Sequence, residues 1–236
     1  MNRKTLIYEV YNLKKVYNDR ITLQIGKLQI HKGTVYGIIG PVGSGKTSLL
    51  RAIAGLEKPT EGTLNYDNEP FKVNWLGKLT PPKEIKFVDT NGTGGSDLVS
   101  KYFSGKHGKR KDTIQKKYFN NGFRRFMWNQ PLNTLSSGEN SWIKMIDAIE
   151  NDPRVLIVDH YAALLDDDME RDMNRRLKSM NRNLGTTIIL SGAENSRIQK
   201  LASVMIYMDN GHISKVRSGN YNRTNRPYQK RSKGRS

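Results

Sequence analysis

Gly40-Pro41-Val42-Gly43-Ser44-Gly45-Lys46-Thr47 fits the pattern G-x-x-x-x-G-K-[ST] at every fixed position. The apolar run Val35-Tyr36-Gly37-Ile38-Ile39 comes just before it, and the helix-like Ser48-Leu49-Leu50-Arg51-Ala52-Ile53-Ala54 comes just after. That strand–loop–helix context gives the pattern its meaning. Glycines let successive backbone N–H groups curl round an anion, and the helix N-terminus adds its positive end. Gly40, Pro41, Val42, Gly43, Ser44, Gly45, Lys46, Thr47 and Ser48 are read as a triphosphate cradle. Lys46 would reach the β- and γ-phosphates and the Thr47 hydroxyl would hold Mg²⁺.

The chain around this loop has 236 residues and an apolar share of 36%, enough for one large α/β domain or a domain with an insertion. It contains no cysteine, which excludes a disulfide framework and any thiolate nucleophile or metal site. Uninterrupted aliphatic runs reach only about four residues, far short of the ~20 that cross a bilayer. Met1-Asn2-Arg3-Lys4 leads into a short amphipathic strand rather than a signal-peptide core. The expected location is the cytoplasm, peripheral on the cytoplasmic face of a membrane.

The net charge is +18, and it is concentrated. Residues 100–126 carry nine Lys/Arg against one Asp, and residues 215–236 carry eight Lys/Arg and no acid. The rest of the chain is close to neutral. Two such patches attract phosphate polymers, anionic lipid or an acidic protein face.

The segments Leu6–Val10, Ile21–Ile25 and Lys27–Ile30 alternate apolar and polar, separated by Asn18-Asp19 and Gly26. They predict an antiparallel β layer at the N-terminus. A strand is expected at Thr63–Tyr66 and another at Ile85–Val88. The stretch 91–135 turns basic and aromatic, with spacing that predicts short helices, and is read as an inserted helical subdomain. Ser136-Ser137 opens a helix carrying Trp142, Ile143, Met145 and Ile146; buried parallel strands follow at Val155–Val158 and Thr186–Leu190. A charged helix spans about 167–183 between them. After Val204–Met208, Asn210-Gly211 is a hairpin turn returning as His212–Ser214. The folded unit is placed at 1–217, with a basic, disordered tail from 218 to 236.

The order phosphate loop, then Leu135-Ser136-Ser137-Gly138-Glu139, then an apolar strand ending in Asp159 resembles the ATP-binding-cassette (ABC) ATPases over roughly residues 5–214. The resemblance implies a phosphate-loop α/β fold with a mostly parallel sheet, ATP and Mg²⁺ as cofactors, and a sandwich dimer with a second ABC subunit. Ser136 and the Gly138 N–H would donate to the γ-phosphate held by the partner, Asp159 would hold Mg²⁺ through water, and Tyr17 would stack on adenine. Asp166, in Ala163-Leu164-Leu165-Asp166, falls where the family closes its D-loop. In transporters of the family, closure of the dimer drives membrane subunits.

The departures are informative. Where hydrolysing members carry a glutamate that polarises water, this chain has His160, followed by Tyr161 in place of proline. The switch histidine position holds Gly192, and the Q-loop glutamine position holds Thr90. A neutral imidazole accepts a proton but lacks the anionic charge, and general-base assistance contributes roughly 10²–10⁴-fold. His160 is therefore the sole candidate at the base position, and own-site hydrolysis is expected to be slow or absent. Two functions compete. One is a transporter-type ATP-binding subunit paired with an identical or catalytically competent ABC subunit. The other is an ATP-gated clamp on nucleic acid or ribosomes, favoured by the interleaved Tyr221, Arg223, Arg226, Tyr228, Lys230 and Arg231.

Overall fold

The computed structural model describes residues 5–89, 95–161 and 163–220. Thr90 and the tail from Tyr221 onward lie outside the described residues. The chain opens with β1 (Leu6–Tyr17) and β2 (Arg20–His31), paired antiparallel across Asn18-Asp19. Both turn residues have positive φ, 44° and 61°, the twist a two-residue hairpin needs and that Asn and Asp tolerate. The break expected at Gly26 does not occur. Pairing continues in register from Leu13–Ile25 to Tyr11–Lys27; the positive φ of Asn12, 49°, falls where the pairing of β1 with the later strand Glu61–Tyr66 shifts. Neighbouring pairs outweigh one glycine's poor strand propensity.

The chain then forms β3 (Val35–Ile39), the phosphate loop and α1 (Lys46–Ile53), which ends before Gly55 at φ 71°. β4 (Glu61–Tyr66) and the two-residue β5 (Glu69–Pro70) complete a four-stranded sheet of order β2-β1-β4-β5. β6 (Ile85–Val88) is followed by α2 (Val99–His107), α3 (Lys111–Tyr118), α4 (Gly122–Met127) and α5 (Ser137–Glu150). The remainder alternates: β7 (Val155–Val158), α6 (Asp167–Leu184), β8 (Thr187–Gly192), α7 (Asn195–Gln199), β9 (Val204–Asp209) and β10 (His212–Ser218). The second sheet runs β10-β9-β3-β8-β7-β6, parallel throughout except at β10.

Every residue of β3 and β7 is buried, because a parallel sheet is covered on both faces. The faces still alternate. Val155 and Ile157 pack with α1 and the antiparallel layer, whereas Leu156 and Val158 pack with the aromatic cluster on the other side. In that cluster Trp128 lies 5.9 Å from the Phe103 ring and 4.9 Å from Phe119, and Phe119 lies 5.3 Å from Trp142. Val99 N donates to Gln130 O and Leu132 N to Asp97 O, so the helical stretch leaves and returns at one place. β10 runs four residues past the expected Ser214, and Gly219 N still donates to Ser203 O. Lys215 and Arg217, part of the basic patch 215–236, therefore lie on an edge strand.

The basic run 100–126 has a structural use. Lys101 pairs with Asp97, Lys106 with Asp147, Arg110 and Lys117 with Glu150, and Arg124 with Asp172. Glu150 is the tightest of these anchors, its side chain only 5% exposed, and the Tyr118 hydroxyl donates to it at 2.6 Å. Burial alone would push its carboxyl up. Hydrogen bonds from Lys117 and Tyr118, with the charges of Lys117 and Arg110, hold it below the usual carboxylate range. A lowered carboxyl stabilises the fold above its unfolded value and loses that contribution as pH falls through the folded one. Glu150→Gln should cost about 1–3 kcal/mol at neutral pH, read by urea denaturation. The gap from wild type should close in acid, below the ordinary carboxylate range.

Candidate functional site

The ends of β3, β7 and β8 converge on the phosphate loop. Gly40 follows β3 where β9 passes so close that an added Cβ would stand 2.2 Å from Met208 O, which leaves room for glycine alone. Gly43 and Gly45 take φ 82° and 92°, conformations open to glycine and used where backbone wraps an anion. Lys46 is buried, and its ammonium donates to Gly40 O and Pro41 O, each at 2.7 Å, and to Ser44 Oγ at 3.2 Å. Burial lowers its pKa, with Asp159 pulling the other way. A phosphate oxygen would offer this ammonium a charged partner in place of neutral ones.

Asp159, 4% exposed, closes β7 and collects donors from three elements. Thr47 Oγ1 donates to its Oδ2 at 2.7 Å, the Ser191 hydroxyl from β8 donates to its Oδ1, and the His160 N–H approaches Oδ1 at 3.1 Å. Two hard oxygen donors, Thr47 and Asp159, thus meet beside the loop. That set suits Mg²⁺, which takes one or two protein oxygens and fills its remaining positions with phosphate and water. The residues fit the ion.

His160 takes the left-handed conformation, φ 52°. Its ring Nδ1 lies 3.3 Å from Asp159 Oδ2 and its side chain is 43% exposed. It lines a cleft of about 500 Å³ with Gly43, Gly45, Lys46, Thr47 and Ser48. Arg20, Thr22 and Gly211 wall the same cleft; Gly211 N donates to Ser44 O at 3.1 Å and Gln24 N to Gly211 O at 2.8 Å. None of these three was expected as a site residue, and neither was Ser191. The Asn210-Gly211 turn is legible locally, but its arrival at the phosphate loop depends on which strands neighbour each other.

The replaced positions have been rebuilt. A Cβ on Gly192 would meet the tip of the Ile198 side chain, Cδ1, at 2.8 Å. Tyr161 N donates to Ser191 O at 2.8 Å, a bond that proline could not make. Its buried hydroxyl donates to Asn174 Oδ1 at 2.6 Å.

Tyr17 does not line the cleft. It ends β1 beside Ser48, with its hydroxyl bonded to Glu57, and its side chain is part-exposed. Ser136 and Gly138 also stand apart from this cleft. Ser136 caps α5: its Oγ accepts from Glu139 N, and Glu139 Oε2 accepts from Ser136 N at 2.7 Å. This is a capping box. A Cβ on Gly138 would stand 2.3 Å from Leu164 O, which seats the helix start against the segment after Asp159. Asp166 caps α6 through Met169 N at 2.7 Å.

A family model described as "ABC transporter" matches residues 23–163. The spermidine/putrescine import ATP-binding protein PotA of Bacillus thuringiensis (strain Al Hakam) is 30% identical over 220 residues, covering 89% of this chain and 65% of that protein. The protein of the same name from Bacteroides fragilis (strain YCH46) is 28% identical over 228 residues, 92% of this chain and 48% of that one. The chain thus spans about half to two thirds of the length of these curated relatives. Among solved structures, cbiO1 from Clostridium perfringens, part of the cbiONQ transporter complex, superposes with a TM-score of 0.71 at 24% identity, covering 92% of this chain and 89% of that one. An ATP-binding cassette dimer in a post-hydrolysis state with ADP and Pi gives 0.74 at 21%, covering 90% and 98%. These two likenesses establish the fold. With the matched phosphate loop, Leu135–Glu139 and Asp159 in place on it, the chain belongs to the ABC transporter family.

Proposed function

We propose that this chain is an ATP-binding subunit that holds MgATP in the cradle Gly40–Ser48, pairs with a second ABC subunit and hydrolyses slowly or not at all at its own site. The observation that carries this reading is the disposition around Asp159. The groups that grip triphosphate and ion are assembled there, with Thr47 at 2.7 Å. The neighbour that would polarise water is an imidazole turned to Asp159 at 3.3 Å, and the switch position is a glycine, Gly192, with no side chain to offer. Bound Mg²⁺ would neutralise phosphate charge. Lys46 grips the β- and γ-phosphates, Thr47 and Asp159 seat the ion, and Tyr17 offers its ring to adenine.

The Leu135–Glu139 segment supports a role at a partner's nucleotide. Ser136 keeps its O–H free to donate while its oxygen caps α5, and the helix start presents its positive end. Among the described residues no helix is long and apolar enough to cross a membrane. In this reading the chain works with membrane subunits and sits at their cytoplasmic face. The relatives' names speak of spermidine and putrescine import; the cargo here would be set by those subunits.

A nucleic-acid clamp remains the second reading. Phe123 and Phe126, 64% and 70% exposed beside Arg125, could stack bases. The ion pairs that engage Lys101, Lys106, Arg110, Lys117 and Arg124 weigh against it.

Equilibrium binding of a fluorescent ATP analogue and single-turnover hydrolysis test the proposal together. The wild-type chain should bind in the presence of Mg²⁺, and Lys46→Ala should weaken binding at least about tenfold, since a charge-assisted contact contributes roughly 1.5–3 kcal/mol. Turnover should stay near baseline. His160→Glu should raise it about ten- to a hundredfold, at or below the low end of the roughly 10²–10⁴-fold that a general base supplies, because position 192 remains glycine. Brisk wild-type turnover, or binding indifferent to Lys46, would refute the reading.

A further inference from the structure

Between β5 and β6 the chain makes a short ordered hairpin that serves none of the sites above. Val73 bridges Leu79, Asn74 N donates to Lys78 O at 2.8 Å, and Thr80 N donates to Lys72 O at 2.8 Å. The tip Asn74-Trp75-Leu76-Gly77 is fastened by the Asn74 side chain, whose Oδ1 accepts from Leu76 N at 3.0 Å and Lys78 N at 2.9 Å. Gly77 completes the turn at φ 72°. The base is anchored as well, since Phe71 stacks on Tyr66 at 6.0 Å and packs against Gly55.

On this rigid stem the apolar side chains point outward. Trp75 is 90% exposed, Leu76 58% and Val73 54%. Leaving a tryptophan and a leucine in water on a fastened turn forgoes burial that a loop of other composition would not need. The tip is too small for a protein partner by itself, because a stable protein interface covers about 800 Å² on each side. It is the right size to dip into a bilayer surface, where the indole prefers the boundary between headgroups and acyl chains. The flanks agree: from Phe71 to Lys83 the chain carries Lys72, Lys78 and Lys83 and no acid, and among the described residues none of the three is ion-paired. Lysines round an aromatic tip match anionic headgroups.

We propose that the Trp75–Leu76 hairpin inserts into an anionic phospholipid surface and holds the chain against the membrane independently of its protein partners. It leads to the N-terminal end of β6, whereas the phosphate loop and Asp159 leave the C-terminal ends of β3 and β7. The anchor and the nucleotide site are therefore separable.

Trp75 also supplies the probe. Trp128 and Trp142 are 6% and 0% exposed, so Trp75 alone reports on solvent. The full-length chain is mixed with vesicles of phosphatidylglycerol and phosphatidylcholine, or of phosphatidylcholine alone, and followed by emission and cosedimentation. On the anionic vesicles emission should shift to the blue and be quenched by brominated acyl chains. Trp75→Ala should abolish both changes and weaken cosedimentation at least tenfold with ATP binding unchanged; Trp75→Phe should restore cosedimentation. Lys72→Glu with Lys78→Glu should also weaken it. Cosedimentation without a spectral change would mean that other basic segments bind the vesicles, and would overturn the proposal. So would a Trp75→Ala chain that binds like wild type, or a photo-crosslinker at position 75 that captures only protein in native membranes.

Discussion

A buried carboxylate dictates how this molecule is put together at its working end. Asp159 lies at the tip of β7, 4% exposed, and an ionised group in that position must be met by donors. They come from three directions: Thr47 at the start of α1, Ser191 near the end of β8, and the backbone of His160. The same three contacts tie the phosphate loop to two neighbouring strands. The left-handed turn at His160 follows from this arrangement, because its N–H reaches both Asp159 Oδ1 and Ser191 Oγ. Removing the carboxylate would leave hydroxyls without their acceptor and a loop without its brace.

Away from that end, charge does similar work at lower cost. Asp147 and Glu150, one turn apart on α5, collect Lys106, His107, Arg110 and Lys117 from α2, α3 and the link between them. The aromatic cluster beneath provides cohesion, and the ion pairs fix how the helices lie on α5. The Leu135–Glu139 segment is thereby held on a firm base, with Gly138 pressed against Leu164 O. Ser136 and Gly138 are thus fixed at the start of α5 by the capping box and by the close approach of Leu164 O.

How much of this could be read from the sequence depended on whether the physics was local. The phosphate loop, the fully buried strands and the hairpin turns declare themselves through glycines, short apolar runs and Asn-Gly or Asn-Asp pairs. The replacements at 160, 161 and 192 are visible as letters. Their surroundings are not: that Ile198 lies against Gly192, or that Tyr161 donates a bond proline lacks, depends on packing between α7, β8 and the β7 end. Arg20, Thr22 and Gly211 reach the cleft, and Ser191 reaches Asp159, only because of which strands neighbour β3. The spacing Ser136-x-x-Glu139 was a legible capping box, masked by its likeness to the family's Leu-Ser-Gly-Gly-Gln. The basic run 100–126 suggested an anionic partner, and the acids that engage Lys106, Arg110, Lys117 and Arg124 are distant in sequence.

The most direct test asks what the full-length chain keeps company with. The tagged chain would be recovered from gently solubilised cells in ATP and Mg²⁺, with half of the sample treated with nuclease, and the retained species identified. The account predicts a membrane protein and a second ABC subunit, bearing glutamate where this chain has His160, both persisting after nuclease. Recovery of nuclease-sensitive RNA or DNA with no membrane protein would contradict it.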